Sequence, residues 1–545
     1  MKSNYADKIL FSDNIYTGLK DKILNGGIAI YNNKILYVGS KEEVLKYKGI
    51  DTEIYDYKDK FITTGFHDDH VHLLMGCLYK EYPNLGEAAS EEETVLILKE
   101  FYDKNSNLIK EHNWILGFNW YNYWWDDKSF PSKKSLDKYF KDVPVCLLNV
   151  DAHGVWVNSK ALEICNIDKN TGDVPYGTIF RDENGEPTGF FQENACSLIV
   201  PTAYNFSEEK EKSILKKALK YCSKCGITSV NDMQPFFGKE IGNPEVFKEL
   251  DMENNLPIRI NFATDLFKDM EYTKSLREKY HSGKVYHNGL KQFIDGVIVT
   301  HTSIMLEDYT DDSKINKNFP LSDLHKVLEK VIEYEKEGFN IHLHATGDGA
   351  VRYALDCYEK AIKINGVTKS RMSIEHCDLI NDNDFKRFNE LGVIASVQPP
   401  HIASANSYSE SLYLGTIGEV RERNLWAFKS LLNNNANIAV GTDYPVVDIN
   451  PMKVIYSALT RLFPDNTPEG GFNPEQKLSI SEVMKAYTYG GAYMAGREEE
   501  LGTIECGKLA DLVVLSNNLF NITPEEVLKT EVIATICDGK FVYEK

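Results

Sequence analysis

Apolar and polar residues alternate over short runs at both ends of the chain, while longer mixed runs fill the middle. Near the start, "IAIYNNKILYVG" places two apolar runs around Asn32 and Asn33, residue types suited to tight turns, and so predicts a β-hairpin. The far end has the same character: "LGTIECGKLADLVVLSNNLF" precedes "EVIATICDGKFVYEK", where Asp538 and Gly539 mark a second hairpin. Chain ends often lie close in space, so residues 1–64 and 496–545 are expected to share one composite β domain.

Between the ends the rhythm changes. "GITSVNDM", "RINFATDL", "LKQFIDGVI", "NIHLHATG", "RMSIEHCD", "GVIASVQPP" and "NIAVGTDYP" are strand-like runs separated by amphipathic helical stretches. Strand alternating with helix implies a parallel sheet with helical crossovers, and the number of units suits a (β/α)8 TIM-like barrel over residues 65–495. The region from about residue 81 to 200 breaks the rhythm with its aromatic cluster "NWYNYWW" and turn-rich "DENGEPTG". It is expected as an insertion after the first barrel strand.

Size and charge narrow the function. At 545 residues the chain exceeds one ordinary core, as a large barrel with additions should. Its 61 basic and 81 acidic residues give a net charge of −20 without a basic patch, which repels nucleic acid and anionic membranes. No run approaches the ~20 apolar residues of a spanning helix, and "MKSNYADKILFSDNIYTG" lacks the apolar core of a signal peptide. The expectation is a soluble, cytoplasmic protein acting on a small molecule, with a homodimer left open. Ten irregularly spaced cysteines point to reduced thiols. The single CxxC, Cys222 and Cys225, falls at helical spacing with no second pair following, so a buried helix face is favoured over a zinc or redox site.

Candidate chemistry centres on "GFHDDHVHLL". On a strand, His70 and His72 share a face and can grip one cation, whereas His67 has the opposite parity and is expected behind the ligands or in the pocket. An HxH alone is weak evidence. Corroboration comes from later strands, each with a candidate near its C-terminal end: Lys291, His344 with His342 deeper on the same face, His376 and Asp443. A barrel gathers those ends at one rim. Imidazole and carboxylate together favour Zn²⁺ or a similar divalent ion. Lys291 cannot bind a cation as an ammonium, but carboxylated by CO₂ it becomes a carbamate able to bridge two ions.

These motifs, with "VDAHGVWVNSKAL", "GTIFRDENGEPTGFFQENA", "HLHATGDGAVRYALDCYE", "GTDYPV" and "ELGTIECGKLADLVVL", resemble the amidohydrolase superfamily, specifically its amidohydrolase 3 or YtcJ-like group, which includes N-substituted formamide deformylases. The resemblance spans nearly the whole chain. It implies metal ligands at His70, His72, Lys291, His344, His376 and Asp443, one or two divalent ions, a β-sandwich from both termini, and an insertion that helps cover the site. Thr64, His67 and His301 depart from the Pro, the small or apolar residue and the Arg usual in the group. The expected reaction is hydrolysis of an amide-like C–N bond in a small molecule, with Asp443 as general acid and base. His153, Glu193, Gln398, His401, Trp120 and His301 are candidates for substrate contact. The rivals are a mononuclear deaminase of an aminated ring and an inactive scaffold. Such deaminases generally lack the bridging lysine and carry a glutamate soon after the third histidine, where this chain has "HATGDGA".

Overall fold

Eight parallel strands pair in chain order: Phe66–Val71, Ile227–Met233, Arg259–Asp265, Val285–Phe293, Ile341–Ala345, Met372–His376, Ile394–Val397 and Asn437–Val440. In this computed structural model residues 5–20, 22–311, 319–403, 405 and 407–545 are described; Met1 to Asn4 of the opening segment lie outside them. Each strand is covered by helices outside and neighbours inside, which is why its residues are almost all buried and its sequence reads as an apolar run. Backbone hydrogen bonds bring the eighth strand's continuation to the first: Asp443 N–H donates to His70 O at 2.7 Å, and His72 N–H to Tyr444 O at 2.8 Å. The result is the TIM-like barrel that the alternating pattern predicts.

Strands from both chain ends hydrogen-bond in one eight-stranded sheet. The junction is Phe61–Thr64, antiparallel to Leu512–Leu515 and parallel to Ala6–Tyr16. Both predicted hairpins are present, with Asn32, Asp538 and Gly539 at positive φ as their turns require. Leu10, Ile28 and Ile30 from one end pack with Leu512, Val514 and Ile536 from the other in a single core.

The insertion carries a five-stranded sheet, Ile115–Trp120, Val145–Asn149, Gly154–Val157, Pro187–Glu193 and Gly177–Arg181. Trp120 belongs to the core of this unit and not to a substrate pocket. It is fully buried, meets Trp156 edge-on at 5.7 Å between ring centroids, and donates its indole N–H to Leu147 O at 2.9 Å. Aromatic bulk alone cannot distinguish a wall from a core, and here the indole N–H has an internal partner. Cys222 and Cys225 lie buried along and at the end of helix Glu208–Lys224, with burial raising both thiols, Cys225 to about 11. Among the described residues no helix is long and apolar enough to cross a membrane.

A buried arginine ties the barrel floor to the terminal sheet. Arg259 opens the third barrel strand and reaches Asp511 at 2.7 Å and Asp538 at 2.8 Å. Arg259→Met strands the buried Asp511 carboxylate and is expected to cost about 3–5 kcal/mol. The check is urea unfolding; an unchanged transition midpoint contradicts the role.

Candidate metal centre

A register slip shapes the first strand. Val230 faces Asp68, yet Asp232 faces Val71, so the first strand carries one extra residue, a β-bulge next to His70. His72 then precedes helix Leu73–Glu81, whose first N–H is held by Asp232 at 2.8 Å. From these positions His70 Nε2 and His72 Nε2 come to 3.5 and 3.3 Å from Asp443 Oδ1. His67 is turned elsewhere: it hydrogen-bonds Asn231 at 2.9 Å and does not line the cavity.

Candidate ligand atoms of His70, His72 and Asp443 lie within 4.8 Å of one another, and so do those of His376, His401 and Asp443. The His344 ring packs 4.4 Å from His376, and Lys291 Nζ sits 3.5 Å from His70 Nε2. All six residues that the resemblance implies as ligands are thus gathered at the C-terminal rim, and His401 joins them. Asp443 Oδ1, His344 Nδ1 and His401 Nε2 are buried without a hydrogen-bond partner. Leaving such groups unsatisfied costs about 1–3 kcal/mol each. A divalent ion among them removes that cost, so the residues present fit a metal. Burial pushes the imidazoles of His70, His344 and His376 well below their ordinary pKa, with Lys291 and neighbouring rings adding to it. They are therefore neutral, the form that ligates. Burial likewise lowers the Lys291 amine to about 8, against the pull of Glu375, Asp443 and Asp69.

Glu375 escaped the sequence reading. Its Oε2 lies 2.6 Å from His70 Nδ1, and its other oxygen accepts from Ser373 Oγ, which in turn bonds His342 Nδ1 at 2.8 Å. A carboxylate on Nδ1 fixes the ring's orientation and leaves Nε2 for Asp443's side of the site. Strand alternation argues that Glu375 and His376 face apart. The sixth strand ends at His376 with φ of 75°, and both residues reach His70, whose ring is 4.9 Å from that of His376.

A cavity of about 520 Å³ opens above the cluster, lined by His70, His72, His344, His376, Asp443 and His153, with Phe236, Phe237, Phe267 and Phe293 as its apolar wall. Of the residues expected to contact substrate, His153 alone lines it. Glu193 is buried behind His153, its Oε2 2.7 Å from Nδ1. Gln398 is spent on His376, with Oε1 3.0 Å from Nδ1. His401 stacks beside His376. His301 faces a different cavity and pairs with Asp311 at 2.9 Å. Loop position in space is not encoded in periodicity, which is why these assignments moved. The backbone at Ala152, Glu193, His376, Cys377 and Asp443 has positive φ, a concentration of strain around one site.

Residues 53–543 match the Amidohydrolase family, and the chain belongs to it. Among its relatives, Protein LONG AFTER FAR-RED 3 of Arabidopsis thaliana is 31% identical over 99% of this chain and 92% of its own length. N-substituted formamide deformylase of Arthrobacter pascens is 23% identical, with 95% of each chain aligned. A crystal structure of an uncharacterized metal-dependent hydrolase from Pyrococcus horikoshii OT3 shares the fold with a TM-score of 0.76 and 24% identity, covering 95% of this chain and 99% of that one.

Burial lowers the His153 pKa, but Glu193, through charge and hydrogen bond, outweighs it and raises the group to about 9. A histidine raised in the folded state stabilises fully below its unfolded pKa of about 6.5, and that contribution is lost as pH rises through 9. Ring ¹⁵N NMR should show His153 protonated at pH 7.5, and Glu193→Gln should bring its midpoint toward 6.5. A neutral His153 ring at pH 7.5 in the unsubstituted protein contradicts the pairing.

Proposed function

We propose that the protein is a metal-dependent hydrolase that cleaves an amide-like, non-peptide C–N bond of a small molecule, such as an N-substituted formamide or another N-acyl compound. The observation that carries this is the convergence of His70 and His72 on Asp443 Oδ1 at the mouth of the barrel, with the rings of His344 and His376 beside them. His70, His72 and Asp443 would hold one ion, His344 and His376 a second, with carboxylated Lys291 between them; zinc suits this nitrogen and oxygen set. Such an ion supplies hydroxide near neutral pH and polarises a carbonyl as a Lewis acid.

The protein's own groups do the rest. Asp443 accepts the proton of the attacking water and returns it to the leaving nitrogen, so that acid and amine depart in balance. The His153 imidazolium, held by Glu193 and lining the same cavity, donates to the carbonyl oxygen as it gains negative charge. The phenylalanine wall keeps bulk water from that charge. A deaminase or an inactive scaffold leaves the burial of Lys291 beside His70 without a role.

Asp443→Asn is expected to lower kcat for N-formyl or N-acyl substrates about a thousandfold with an unchanged circular dichroism spectrum; near-normal turnover removes Asp443 from the chemistry. In crystals of the metal-loaded protein, density for a carboxyl group should extend beyond Lys291 Nζ. A bare ammonium there contradicts the bridging role.

A further inference from the structure

A second cavity, of about 390 Å³, lies where the insertion meets the loop after the fourth barrel strand. Tyr121, Phe130, Phe190 and Gln192 line it from the insertion, Thr300 and His301 from the loop. Three features bear on what it takes. Asp151 belongs to the walls of both this cavity and the metal-centre cavity. Its Oδ1 accepts the His153 backbone N–H at 2.9 Å, while Oδ2 has no hydrogen-bond partner. Among the described residues lining the second cavity there is no lysine or arginine, and its one imidazole, His301, is matched by the Asp311 carboxylate. The rings offer stacking faces, with Phe130 and Phe190 already stacked at 5.7 Å. Next to Asp151, Ala152 lines the metal-centre cavity with a φ of 61°, a conformation that a non-glycine residue rarely adopts.

We propose that the two cavities form one bipartite substrate site, in which the scissile amide lies at the metal centre and the tail passes Asp151 to seat an aromatic group, uncharged or cationic, in the second cavity. The assignment rests on the reaction proposed above. Aromatic rings gain from stacking on Phe130, the exposed ring of that pair. A cation gains from the same ring faces and from Asp151. An anionic tail meets the Asp151 carboxylate, with no lysine or arginine among the described residues of the cavity wall to offset it. Substrates with acidic tails are thus disfavoured.

The test compares metal-loaded wild type with Thr178→Trp, a replacement at an exposed position of the Gly177–Arg181 strand that fills the second cavity. The substrates are N-formyl-ethylamine, N-formyl-3-phenylpropylamine, and the ring-aminomethyl and ring-carboxylate forms of the latter. For wild type, kcat/KM should be at least tenfold higher for the phenyl and aminomethylphenyl compounds than for the ethyl or carboxyphenyl ones. Thr178→Trp should bring the phenyl-to-ethyl ratio close to one. Equal kcat/KM across the tails, or a ratio that the substitution leaves unchanged, overturns the proposal. If no formamide is turned over, the proposed reaction fails, and calorimetric binding of the four corresponding free amines decides the cavity. Tail-dependent affinity that Thr178→Trp abolishes sustains it; equal affinity overturns it.

Discussion

The two backbone hydrogen bonds across the seam between the first and eighth barrel strands, Asp443 N–H to His70 O and His72 N–H to Tyr444 O, are the constraint on which the site depends. Each has a net worth of only about 1 kcal/mol. Their consequence is geometric: they join the chemistry-bearing ends of segments far apart in sequence and leave no open sheet edge there. With that seam made, Asp443 Oδ1 points toward the histidines of the first strand.

The barrel interior adds an electrostatic consequence. Asp68, Asp69, His70, Asn231, Asn261, His342 and Glu375 are all buried, an unusual polar load for a sheet covered on both faces. Burial keeps the imidazoles neutral and so ready to donate lone pairs. Glu375 anchors His70 from behind, and Gln398 does the same for His376. Away from the cluster, the paired His153 and Glu193 keep a positive group facing the cavity. The insertion supplies that pair as well as one side of the second cavity, so it contributes to chemistry as well as to cover.

Much of this was legible in the chain. Asn32–Asn33 and Asp538–Gly539 marked their hairpins because few residues tolerate those backbone angles. The apolar runs marked the strands, and a barrel places strand C-termini on one rim, so His70, His72, Lys291, His344, His376 and Asp443 group together from the sequence. What periodicity cannot carry is departure from periodicity. The bulge at His70 and the left-handed turn at His376 changed which neighbours share a face, and they hid Glu375. Residues of the insertion and of the loops were harder still: Trp120 became core and His301 turned to another cavity, because only tertiary packing fixes where such segments lie.

The central claim is that these buried imidazoles and one carboxylate hold a divalent ion. X-ray absorption at the zinc edge, on chelator-stripped protein titrated with Zn²⁺, tests it most directly. The account predicts saturation at one or two ions per chain, with a nitrogen and oxygen shell at about 2.0–2.2 Å. Failure to bind a stoichiometric ion, or a shell dominated by sulfur, would contradict it.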